Sequence, residues 1–299
     1  MTVLGPVAAD DLGLTLPHEH VFINQVREYR GTGLLNDPAL AVRELSRFRD
    51  QGGQTIVDCT TVELQRDAVA LQQVARETKL NIVMGCGHYR DPYLDRDWFD
   101  RTSVDEIADL IVRELEEGVD DTGIRAGIIG EIGADKWYIS AAEERSFRAA
   151  ARAHLKTGVT ITTHAARWPI GIPQLDILRA EGVDPRRVII GHCDMVTIPD
   201  YHEAIARRGA YVEFDTIRGE SEYDLEIRVS FVRNLINKGF IDRILLSHDV
   251  CLRSLLSISG GCGYDFIFTT FLPRLREAGV EDEEIQRITV LNPRDALAN

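Results

Sequence analysis

Eight short apolar runs rich in β-branched residues recur along this chain, and no other feature restricts the fold as much. They lie at residues 12–16 (leading to His20), 55–59, 82–87, 126–133, 160–164, 188–192, 211–215 and 244–249. The stretches between them read as helices. Ser103-Val104-Asp105-Glu106 and Ser140-Ala141-Ala142-Glu143 match the capping box, in which a serine and a glutamate satisfy each other's free backbone N–H groups. After the first of these, Ile107, Leu110, Ile111 and Leu115 form an apolar stripe at helical spacing. Asp37-Pro38 has the N-cap and first-turn chemistry of another helix start. Gly118, Gly158, Gly182, Gly209, Gly239 and Gly279 stand where helices should stop, each followed by an apolar residue.

His20 and Asp249 are 229 residues apart, which is seven steps of about 33, the length of a βαβ unit. Continuous apolar strands alternating with helices predict a parallel sheet covered on both faces. Eight such units most simply close into a (β/α)8 TIM barrel, read here as a single domain over residues 1–299. An open doubly wound sheet would usually carry a glycine-rich phosphate loop after its first strand. Pro17-His18-Glu19-His20 takes that place.

Composition closes several other routes. Hydrophobic residues make up 44% and charged residues 27%, fractions of a globular chain, so disordered and fibrous architectures are excluded. No apolar run reaches the ~18–20 residues that cross a bilayer, and the first twelve residues lack a basic start and apolar signal core. A net charge of −14 repels phosphate backbones and argues against nucleic acid as a partner. The five cysteines are odd in number and form no C-x-x-C pair, which suits reduced thiols in the cytoplasm. An exposed helical face could pair two copies as a homodimer, although no stripe specifies one.

The chemistry gathers at strand ends. In His18-Glu19-His20 the histidines are two apart, so on a strand both side chains reach one face while Glu19 points away. Glu131, His164, His192 and Asp249 each end an apolar run, where a barrel opens its active-site mouth. A charged or imidazole group there is costly to bury without a partner. Any one of them could be a satisfied core residue; six from five strands point to a pair of divalent transition ions. Four imidazoles favour zinc, and manganese, cobalt or iron(II) also fit.

The other histidines read differently. His248 falls on the opposite side of its strand from Asp249, His154 and His202 lie in helices as surface or packing residues, and His88 follows the third strand in a loop. Arg90, Arg167, Arg218 and Arg253 lie just beyond strand ends, where a guanidinium can clamp a carboxylate or phosphate.

These residues in this order resemble the phosphotriesterase-related branch of the amidohydrolase superfamily. Asp11-Leu12-Gly13-Leu14-Thr15-Leu16-Pro17-His18-Glu19-His20 is similar to that family's first signature. Gly130-Glu131-Ile132-Gly133, Thr163-His164, Gly191-His192-Cys193-Asp194, Phe214-Asp215-Thr216, Ser247-His248-Asp249 and Gly260-Gly261-Cys262-Gly263-Tyr264-Asp265 follow in the family's order. The resemblance spans nearly the whole chain.

It implies a binuclear centre with His18, His20 and Asp249 on the buried metal and His164 and His192 on the exposed one. A strand-four carboxylate bridges them. Efficient phosphotriesterases and quorum-signal lactonases use a carboxylated lysine as that bridge. Glu131 stands there in this chain, as in the phosphotriesterase-homology proteins. Acyl hydrolysis of a small ester, lactone or amide by a bridging hydroxide therefore ranks first. Phosphoester hydrolysis at the same centre comes next, and a non-catalytic metal-containing binding protein last.

Asp249 would also take and return the proton. Tyr89 matches a substrate-contacting tyrosine of the lactonases, Arg253 is a second candidate substrate contact, and Thr216 replaces an arginine found in several lactonases.

Overall fold

The computed structural model describes residues 1–219 and 221–298. Each apolar run contains a strand: β1 Thr15–Glu19, β2 Thr55–Asp58, β3 Asn81–Cys86, β4 Ile128–Gly133, β5 Ile161–His164, β6 Val188–Ile190, β7 Tyr211–Phe214 and β8 Ile244–Leu246. They pair in chain order, all parallel, as an eight-stranded sheet. The expected (β/α)8 barrel is the observed fold, nearly closed. The backbone N–H of Asp249 donates to His18 O at 3.2 Å across the seam between the first and last strands. An unexpected antiparallel pair, Ile23–Asn24 with Leu34–Leu35, decorates the loop after β1.

The helix signals act as predicted. Ser103 and Ser140 each form a complete capping box, and Asp37 caps the helix Pro38–Asp50 with Pro38 at its first position. Gly158 adopts φ +75 at the end of Ala141–Thr157, a left-handed cap that a β-carbon would penalise.

Two apolar layers result. Val57, Val83, Ile128, Ile189, Tyr211 and Leu245 fill the barrel interior, and Leu12, Ala296 and Leu297 close its floor. Their sequence neighbours Ile56, Ile82, Ile129, Ile190, Val212 and Leu246 turn outward to the helices, as period-two alternation requires. The interior floor is mainly apolar, with Thr55 and Thr160 donating there to the carbonyl oxygens of Leu12 and Ala296, and the histidines and acids gather at the C-terminal mouth.

Alternation alone would misplace two strands. Leu16 packs with the outer layer, so His18 at the same parity should also face out. A register shift between Leu16 and Glu19 turns it inward. A second shift, between Ile129 and Ile132, does the same for Glu131. Irregularities of this kind re-aim a side chain at the cost of a ladder bond.

Glu19 fastens the barrel seam. Its carboxylate accepts hydrogen bonds from Ser247 Oγ, His248 N and His248 Nδ1 at 2.8–2.9 Å and from Val250 N at 2.8 Å. Because His248 Nε2 accepts from Ile267 N at 2.9 Å, its proton sits on Nδ1. Glu19→Ala leaves these buried donors unsatisfied and is expected to destabilise the fold by about 3–5 kcal/mol. An unchanged urea midpoint would show that the seam does not depend on Glu19.

Candidate metal centre

Of the six residues singled out in the sequence, the four histidines converge on the Glu131 carboxylate and Asp249 stands beside His20. Glu131 Oε2 lies 3.4 Å from His18 Nε2, 3.3 Å from His192 Nε2 and 3.1 Å from His164 Nδ1. Its other oxygen, Oε1, is 3.4 Å from His20 Nε2, and Asp249 Oδ1 is 3.3 Å from that same nitrogen. Oε2 thus faces three imidazole nitrogens and Oε1 the fourth, with Asp249 beside it, and His18 also groups with His20.

Three overlapping groups have donor atoms all within 4.8 Å of one another: His18 with His20 and Glu131, His18 with His192 and Asp215, and Glu131 with His164 and His192. Two further observations fit cations here. His18 Nε2 is buried and has no hydrogen-bond partner. His192 Nε2 and His164 Nδ1 approach to 2.8 Å, converging on one point. Buried polar atoms are rarely left unpaired, and a cation at Glu131 would satisfy both. Four imidazoles and two carboxylates make a binuclear divalent-metal site.

A supporting layer sits beneath. His18 Nδ1 is 3.0 Å from Glu213 Oε2 and 3.2 Å from Asp215 Oδ2, while His192 Nδ1 is 2.8 Å from Asp215 Oδ1. His20 Nδ1 meets Thr60 Oγ1 at 2.8 Å. Such partners on the second nitrogen fix ring orientation and strengthen the first nitrogen as a donor. Glu213 and Asp215 were not assigned a role from sequence. The alternation Tyr211-Val212-Glu213-Phe214-Asp215 held the signal, since Glu213 on β7 and Asp215 just past its end share one parity and so one face.

The ionisation of these groups follows from burial set against neighbours. Burial pulls His20 down, but Asp249 and Glu131 outweigh it and lift the imidazole to about 9. His192 rises to about 10 in the same way, against burial, through Asp215 and Glu131. His164 is driven down to about 4, first by burial and further by His192, despite Glu131. Burial opposes charge on Asp249 as well, yet Arg218 and His20 hold it below the usual carboxylate range.

Above the cluster opens a cavity of about 330 Å³, the size of a small-molecule site. Tyr89 lines it, with its hydroxyl 3.3 Å from His164 Nδ1. Arg90, Arg167 and Arg218 line it too. Arg253 instead borders a neighbouring cleft with Leu35, Asp37 and Tyr264. His88 turns away from the cavity to Glu63, with Trp98 and Phe99 against its ring. His154 and His202 are both buried packing residues.

The sequence model of the Phosphotriesterase family matches residues 1–297. The chain belongs to the phosphotriesterase family. Within it, the chain groups with the phosphotriesterase-homology proteins of the amidohydrolase superfamily. The crystal structure of a phosphotriesterase homology protein from Escherichia coli, with phosphate in its active site, is 36% identical. It superposes with a TM-score of 0.92 over 95% of this chain and 98% of that one. An N-acetyltaurine hydrolase from Dictyostelium discoideum is 32% identical over 362 residues, covering 99% of this chain and 96% of its own. The crystal structure of a lactonase from Listeria monocytogenes is 27% identical, with a TM-score of 0.92 over 99% of this chain and 98% of that one. Membership of the phosphotriesterase family and the clustered donors together make this protein a metal-dependent hydrolase. No helix among the described residues is long and apolar enough to cross a membrane.

Proposed function

We propose that the protein hydrolyses a small acyl compound (an amide, ester or lactone) at a pair of divalent ions, zinc being the first choice. The observation that carries this reading is the Glu131 carboxylate, ringed by four imidazole nitrogens, with Asp249 beside it under a cavity. The N-acetyltaurine hydrolase and lactonase relatives favour acyl substrates.

His18, His20 and Asp249 would hold one ion and His164 and His192 the other, with Glu131 available to both. When bound, the ions supply hydroxide at neutral pH and polarise the substrate oxygen. The chain's own groups do the rest. Asp249 Oδ1, turned toward His20, receives the proton of the hydrolytic water and returns it to the leaving group. Arg218 donates from Nη2 to Asp249 Oδ2 and from Nε to the carbonyl oxygen of His248, which keeps that carboxylate from rotating. The Tyr89 hydroxyl is placed to donate to a substrate oxygen near His164.

A second reading, phosphoester hydrolysis, is favoured by the phosphate held in the active site of the Escherichia coli relative. Cysteines 59, 86, 193, 251 and 262 are free and buried, in keeping with a reducing compartment, so we place the protein in the cytoplasm.

The test is a hydrolysis panel on zinc-reconstituted protein with lactones, N-acyl amino acids, N-acetyltaurine and phosphoesters side by side. Acyl turnover with about two metal equivalents per chain is expected. Turnover confined to phosphoesters would transfer the assignment to the second reading.

A further inference from the structure

We propose that Arg167 selects substrates carrying a terminal carboxylate or sulfonate at the end opposite the scissile acyl bond; this rests on the hydrolase reading above. Three arginines line the cavity, and their partners distinguish them. Arg90 is paired with Glu28 and Asp135, and Arg218 with Asp249. Those two guanidiniums are neutralised within the wall. Arg167 is exposed at the mouth and, among the described residues, has neither a hydrogen bond nor an ion pair.

The surroundings make a free cation significant. Glu28, Asp135 and Asp249 in the same wall are spent on Arg90 and Arg218, and Glu131 on the imidazoles, so among the described residues Arg167 is the lining guanidinium left open to a substrate anion. A guanidinium offers a planar fork that binds an oxyanion through two N–H groups.

Backbone geometry adds an independent argument. Trp168 N–H donates to Ala166 O at 2.9 Å, which closes a γ-turn centred on Arg167, whose φ is +69. A γ-turn with positive φ is rare and strained for any residue bearing a β-carbon. Glycine would take the position without steric cost, yet an arginine side chain is presented there. Strain held in a cavity wall is the kind of outlier that marks a functional position. Arg167 follows His164 by three residues, so the two Cα atoms are at most ~11 Å apart. That spacing suits a short linker between the acyl group at the metal ligands and the anion at the mouth.

The experiment uses ketone isosteres that cannot be hydrolysed. γ-Acetylbutyrate and the matching sulfonate carry the anion, and γ-acetylbutyramide is the neutral control. Calorimetry on zinc-loaded protein is expected to show both anions binding about 10–100-fold more tightly than the amide. Arg167→Gln should abolish that preference, and Arg167→Lys should keep part of it, because charge remains without the fork. In turnover, Arg167→Gln should raise KM for N-acetyl-β-alanine with kcat little changed, and leave N-acetylethanolamine unaffected.

Equal binding of anion and amide by the unsubstituted protein overturns the proposal. So does a preference that survives Arg167→Gln, since the ions alone would then account for it. Anion preference that depends on Arg167, with no hydrolysis of any acyl substrate, supports the anion site and removes the hydrolase reading instead.

Discussion

Asp249→Asn is expected to lower kcat by about 10²–10⁴ while the protein stays folded and keeps part of its metal. The asparagine amide has nearly the shape of the carboxylate and can still offer Oδ1 toward His20, so ligation weakens without vanishing. It cannot accept a proton, and that is the function the position supplies. The present partners of Asp249 explain why no neighbour substitutes. Glu131 is surrounded by imidazoles, and Glu213 and Asp215 are committed to His18 and His192 beneath the cluster. Arg218 loses its counter-charge in this variant but keeps its bonds to the carbonyl oxygens of His248 and Asp249. Single-turnover kinetics, metal analysis and a urea midpoint on one preparation separate the effects. Undiminished turnover would remove Asp249 from proton transfer.

The barrel was legible because parallel strands covered on both faces leave continuous apolar runs, and each run here contains its strand. The site was legible for a related reason. A histidine or acid that ends such a run has no packing role, and six of them repeating at one end of the sheet identify a shared mouth. What stayed hidden depends on contacts that no spacing encodes. Arg218 meets Asp249 across 31 residues, and Arg90 meets Asp135 across 45.

The sequence reading expected Glu19 to point away from its neighbouring histidines. It does, but it ends in a buried network with Ser247, His248 and Val250 that ties the last strand to the first. Arg253 shows the opposite limit. It follows a strand end as Arg90 does, yet the 3-10 turn Arg253–Leu255 carries it to the adjoining cleft. Position along the chain locates the rim of the barrel but not which way a loop residue faces.

Glu131→Gln should have its largest effect on metal content rather than on folding. The Glu131 carboxylate touches all four imidazoles, so its removal affects both metal positions together. Contacts one layer further out are typically worth ~10–100-fold in metal affinity, and loss of the shared ligand should exceed that. Content is expected to fall from about two equivalents to below one.

Proton release provides a second, independent reading. With His20 raised to about 9 and His192 to about 10, both are protonated at neutral pH in the metal-free protein. Metal requires the neutral rings, so binding expels these protons and affinity rises with pH until it passes those values. Glutamine at position 131 removes one of the charges that holds each proton, so both imidazoles fall toward their ordinary range and fewer protons are released. Calorimetric titration with zinc in buffers of different ionisation enthalpy measures that number directly. Two equivalents bound with unchanged proton release would mean that Glu131 neither bridges the ions nor sets the charge of the rings around it.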